Sequence, residues 1–195
     1  SVLSRHELHG RPFFLAVASA NPTKNLSLLR EAHEQWARKA GPDRAAPLVL
    51  VGGSNSRVFR TDAPPSTDTV CITTGTISDG ELKSLYQHAL ALVFPSVYEG
   101  FGIPPLEAMH CGCPVIAARA ASLPEVCGSA AHYIDPNQPS SLVDALARLA
   151  GDAAYREQLS MAGRARAGHF SWRRSAQRLM NLVGQNARSD PASFP

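Results

Sequence analysis

Residues 91–109 read Ala91-Leu92-Val93-Phe94-Pro95-Ser96-Val97-Tyr98-Glu99-Gly100-Phe101-Gly102-Ile103-Pro104-Pro105-Leu106-Glu107-Ala108-Met109. The first four form an unbroken apolar run, as in a strand covered on both faces. A glycine-bearing loop follows. Prolines then open a helix, where their missing N–H groups would lack a partner in any case. A buried strand feeding a helix through a short loop is the repeating unit of a parallel sheet.

Outward from this unit the same pattern recurs. Apolar runs at 12–18, 48–51, 70–73, 115–117 and 132–134 are predicted strands. Leu26, Leu29, Ala32 and Trp36 mark one helix, stopped by Gly41-Pro42. Ser78 and Glu81 form a capping box before a helix with Leu82, Leu85, Tyr86 and Ala89 on its inner stripe. Further helices are predicted at 105–111, 141–149, 153–167 and 172–183, with a turn at 124–127. The stripes of the last helices are expected to pack into the core or to dock an absent domain. Residues 54–68 are polar and read as a long loop, with a helical turn near Val58. The expected fold class is therefore α/β, a Rossmann-like parallel sheet with helices on both faces. Residues 1–11 are expected to be a linker at a domain boundary, 12–183 the folded domain, and 184–195 a loose polar tail.

In such sheets ligands bind beyond the carboxyl ends of the strands, which puts residues 95–103 first among candidates. Gly100 and Gly102 let backbone approach a ligand closely. The amides of Gly102 and Ile103 precede the two prolines and face the loop mouth, where the helix dipole favours a phosphate. Glu99 and Glu107 stand one in the loop and one in the expected first helical turn. Two carboxylates so placed suit sugar hydroxyls, though by themselves they also suit a solvated loop and a helix start.

Composition excludes several other classes. The chain has 195 residues, 44% of them hydrophobic, and a net charge of +3 from 19 basic and 16 acidic side chains. No basic run points to nucleic acid. No apolar stretch approaches the roughly 20 residues of a membrane span, and no secretory signal is visible. The four cysteines show no C-x-x-C spacing and read as reduced thiols of a cytoplasmic protein. The histidines show no metal-binding spacing, so neither metal nor cofactor is expected. Gly100-x-Gly102-x-x-Pro105 lacks the third glycine of a dinucleotide fingerprint and comes late in the chain, and no P-loop is present.

The segment from Glu99 to Glu107 resembles the E-x7-E motif of the retaining GT-B glycosyltransferases of glycosyltransferase family 4. Flanking blocks are similar too: Gly75 to Leu82, Cys111 to Ala117, Ser122 to Val126, and Phe170-Ser171-Trp172. The resemblance implies the C-terminal half of a GT-B fold and transfer of a hexose-type, mannosyl-like unit from a nucleoside diphosphate sugar to a hydroxyl, as in polysaccharide biosynthesis. It implies that Glu107 holds the ribose, that Glu99 contacts the donor sugar, that Phe101, Gly102 and Ile103 meet the sugar or diphosphate, and that the main chain at Ile77 lies against the base. Lys24 matches the family's basic residue at the leaving group, whereas Ser19 stands where the family has Arg. A serine gives one neutral hydrogen bond in place of a charged, often bidentate one. A domain with a degenerate donor site, or a nucleotide-sugar epimerase, is the alternative. The resemblance further implies an N-terminal acceptor-binding domain outside this chain, without which the fragment is inactive. It also implies peripheral contact, through that domain, with the inner face of a membrane.

Overall fold

The computed structural model describes residues 1–17, 21–52 and 71–186. Six parallel strands form one sheet in the order β3-β2-β1-β4-β5-β6. They are β1 (Phe14–Val17), β2 (Leu48–Val51), β3 (Cys71–Gly75), β4 (Ala91–Phe94), β5 (Val115–Ala118) and β6 (His132–Ile134). The helices are α1 (Val2–Arg5), α2 (Leu26–Ala40), α3 (Asp79–His88), α4 (Ile103–His110), α5 (Leu123–Cys127), α6 (Pro139–Gly151), α7 (Ala153–Ala167) and α8 (Trp172–Asn186).

The apolar runs became strands because both faces of the sheet are covered. Residues alternate between two cores, save that Ala117 and Ala118 of β5 lie in the same one. Leu15, Val49, Leu92, Phe94, Val115 and Ala117 face a core shared with α3, α4 and α5. Phe14, Ala16, Leu48, Leu50, Val93 and Ile116 face the other, built on α2 and α6. There Trp36 sets its ring edge-on against Phe14 at 5.3 Å. The expected Rossmann-like α/β fold is thus present, and the order in which strands are added across the sheet reverses between β1 and β4. That crevice is the switch point at which such sheets bind ligands.

Several boundaries moved. α4 starts at Ile103, two residues before the expected helix, because neither Pro104 nor Pro105 must donate a hydrogen bond in a first turn. Glu107 therefore sits in the second turn, and the dipole of the first turn no longer accounts for it. Residues 1–11 are more than a linker. Val2, Leu3 and Leu8 are buried in the core, and Arg5 reaches Glu81 of α3 at 2.7 Å. At the other end α8 runs on to Asn186 into the expected tail. Trp172, Leu179, Met180, Leu182 and Val183 along α8 are exposed, so among the described residues its stripe is not core packing. No helix among the described residues is long and apolar enough to cross a membrane. Ser19 and the 54–68 loop lie outside the described residues.

Candidate functional site

Lys24 and Glu99, 75 positions apart in the chain, meet at the switch point. Lys24 ends a 3-10 turn, Pro22–Lys24, that follows β1. Asn21 caps that turn by accepting from the Thr23 N–H at 3.0 Å. Asn25, in the left-handed conformation, closes it, and its side-chain amide donates to the Pro136 carbonyl at 2.9 Å. The Val97 N–H donates to the Thr23 carbonyl at 2.9 Å, which stitches this turn to the loop after β4. Lys24 Nζ then lies 2.5 Å from Glu99 Oε1, with side chains 20% and 14% exposed. The ammonium also stands 5.0 Å from the centre of the Phe94 ring.

The Glu99 loop is held from beneath by α5 and the segment before it. Ser122 Oγ lies 3.0 Å from the Glu99 carbonyl and 3.1 Å from the Phe101 carbonyl, and donates to this pair. Gly102 caps α4 with φ of +96°, and a Cβ there would come within 2.8 Å of Leu123 Cδ2. Phe101 rests edge-on against Phe170 at 5.9 Å. Arg166 lies over the other partner of that stack, 5.0 Å from the Phe170 ring centre, and its Nε donates to the Val126 carbonyl at 2.9 Å. Its positive charge at the end of α5 also suits that helix's dipole.

At the mouth of α4 the Gly102 and Ile103 N–H groups have no hydrogen-bond partner among the described residues. Ile103 is half exposed above them. One and a half turns on, Glu107 projects outward and accepts from the Tyr86 hydroxyl of α3 at 3.2 Å. Burial, and then the Glu107 charge, push the Tyr86 phenol upward, so it remains a protonated donor. Ile77 is half-buried just before the α3 cap, packed on the core that α3 and α4 share. Behind α4, burial lifts the Cys113 thiol to about 12, which leaves it an inert packing group.

The fold therefore joins Lys24 to Glu99 directly and places Gly102, Ile103 and Glu107 along one helix beside them. Among the described residues Glu99 and Glu107 share no hydrogen-bond partner. Sequence reasoning missed Tyr86 as the partner of Glu107, having read it only as core. It also missed Ser122, for which Ser-Leu-Pro-Glu before a short helix was the available signal.

The strand order reverses at β1/β4, and the mouth of α4 with its flanking acids lies at that crevice, where open α/β sheets of this class bind ligands. The chain belongs to the family of glycosyl transferases group 1, whose model matches residues 4–166. It is 33% identical over 183 residues to an O-antigen chain mannosyltransferase B of Escherichia coli, an alignment covering 92% of this chain and 48% of that protein. It is 34% identical over 163 residues to an MMP alpha-(1->4)-mannosyltransferase of Mycolicibacterium hassiacum, covering 81% and 39%. Among solved structures, a sucrose-phosphate synthase from Thermosynechococcus elongatus superposes with a TM-score of 0.79 at 27% identity, covering 97% of this chain and 49% of that one. The chain thus spans about half, or less, of the length of these relatives.

Proposed function

We propose that this chain is the nucleotide-sugar-binding half of a retaining glycosyltransferase, moving a hexose-type unit, of which mannosyl is the best supported, from a nucleoside diphosphate to a hydroxyl. One observation carries the reading: the unpartnered amides at the mouth of α4 lie between Glu99, paired with Lys24, and Glu107, held by Tyr86. The diphosphate is assigned to that mouth, where backbone donors and the helix dipole favour negative charge. An ammonium offers three donors. Lys24 spends one on Glu99 and turns the rest to the departing diphosphate, the kind of electrostatic help that lowers such barriers. Glu107 accepts from the ribose hydroxyls, and the Tyr86 bond fixes its rotamer beforehand. Glu99 and the 101–103 backbone orient the sugar.

The mannosyl assignment is supported by the names of the relatives, and retention by the E-x7-E resemblance. The acceptor half is assigned to a preceding domain of the same protein, which works in the cytoplasm at the inner face of a membrane. Calorimetry of this chain with UDP, GDP and their hexose conjugates tests the reading. One diphosphate is expected to bind, and Glu107→Gln to weaken it about tenfold through the lost charged hydrogen bonds. No transfer is expected until the acceptor half is supplied. Failure of every nucleotide to bind the folded chain overturns the assignment.

A further inference from the structure

Of the two acids at the crevice, Glu99 alone is bonded to a cation among the described residues. Glu107 makes no ion pair there and accepts from the neutral Tyr86 hydroxyl. Glu99 Oε1 takes the Lys24 ammonium at 2.5 Å, and both side chains are largely withdrawn from water. Opposite charges attract more strongly in such a setting than in bulk solvent. The backbones on either side are anchored. The Val97 N–H ties the Glu99 loop to the Thr23 carbonyl, next to Lys24, and Ser122 Oγ holds the Glu99 carbonyl. The Phe94 ring backs the ammonium at 5.0 Å. Lys24 therefore keeps a counter-charge in the free chain. Glu99 Oε2 has no hydrogen-bond partner among the described residues and is open to a hydroxyl.

The pair stands close to the mouth of α4, since Gly102 follows Glu99 by three residues and their Cα atoms are at most about 11 Å apart. In the reaction proposed above, the bond from sugar carbon to phosphate oxygen breaks with its electron pair left on the phosphate. The acceptor oxygen bonds that carbon, and its proton passes to water. The nucleoside diphosphate product thus carries one more negative charge than the donor. An unopposed ammonium beside it would hold the product more tightly than the donor, and the site would be slow to empty. A counter-charge on Lys24 removes that advantage. While a hexose is bound, its hydroxyls donate to the Glu99 carboxylate and draw its charge away from Lys24, which then acts in full on the phosphates. Once the sugar has left, the carboxylate returns to the ammonium.

We infer that Glu99 sets the balance between holding the donor and releasing the nucleotide product, by neutralising Lys24 whenever no sugar is bound. This rests on the donor reading above and adds to it a second role for Glu99, exerted through Lys24 on the bare diphosphate.

Calorimetry at pH 8, where a terminal phosphate is fully ionised, compares UDP with UDP-glucose and GDP with GDP-mannose on the 195-residue chain. Glu99→Gln keeps the side chain's shape and removes its charge. It is expected to tighten the bare diphosphate about fivefold and to weaken the nucleotide sugar by about as much, through the lost charged bonds to the hydroxyls. Glu107→Gln lowers both affinities alike, as a ribose contact requires. Glu99→Asp, a methylene short of Lys24, moves the ratio of the two affinities the same way by less, and carries the test should Glu99→Gln unfold. In a Lys24→Met background there is no ammonium to unmask, and Glu99→Gln is expected to change the affinity for the bare diphosphate by less than about twofold. Bare diphosphate that binds no more tightly to the Glu99 variants overturns the inference and leaves the donor reading standing. So does a tightening that persists in full without Lys24, which would be plain repulsion between the acid and the phosphate. Failure of the unaltered chain to bind any of the four ligands removes both.

Discussion

The loop that carries Glu99 is tied down by residues remote in sequence: Lys24 on its carboxylate, Ser122 on its carbonyls, Leu123 beneath Gly102 and Phe170 against Phe101. The helix that carries Glu107 takes its geometry from its own backbone, and among the described residues its acid bonds one outside group, the Tyr86 hydroxyl. Both acids belong to one motif, but one is positioned by tertiary contacts and the other mainly by helical periodicity. An acid on a loop holds a geometry only if the surrounding structure supplies the constraints a helix provides through its hydrogen bonds.

Four experiments probe that contrast. Gly102→Ala has the largest expected effect, about 2–4 kcal/mol by denaturant unfolding, since it combines a left-handed backbone with a clash against Leu123. Gly100→Ala, with open space around it, should stay within about 0.5 kcal/mol. Equal losses at the two glycines would break the picture of a loop seated on α5. Next, a double-mutant cycle on Lys24→Met and Glu99→Gln should show coupling of about 1–2 kcal/mol, as expected of a mostly buried pair. The same cycle on the more exposed Arg5–Glu81 pair should give almost none. Ser122→Ala should cost about 1 kcal/mol and weaken nucleotide-sugar binding more than binding of the bare nucleotide, because it releases the sugar end of the site. Tyr86→Phe should cost less than Ser122→Ala, about 0.5–1 kcal/mol in stability. Its effect on bare nucleotide and nucleotide sugar should be equal, as a ribose contact requires.

Much of this was legible along the chain. The strands declared themselves as short apolar runs, and Ser78 with Glu81 marked the start of α3, where both capping bonds form. Gly100 and Gly102 are expected from the sequence to let the backbone approach a ligand, an expectation that does not include the left-handed φ of +96° Gly102 adopts at the start of α4. The errors have definite causes. Residues 1–11 carry too few apolar side chains to show a period, yet Val2 and Leu3 fill the gap beside α3. The start of α4 was placed late because proline reads as a breaker when its tolerance in a first turn is applied to one residue instead of two.

Short-range patterns reported on backbone bonding and burial, since both depend on neighbours within a few residues. For this protein they were enough for the strands, the helices and a helix mouth suited to anions. Which side chains meet across that mouth was set by the packing of the sheet. β1 and β4 are adjacent in the sheet though 75 positions separate Lys24 from Glu99, and no local pattern encodes a contact created by strand order.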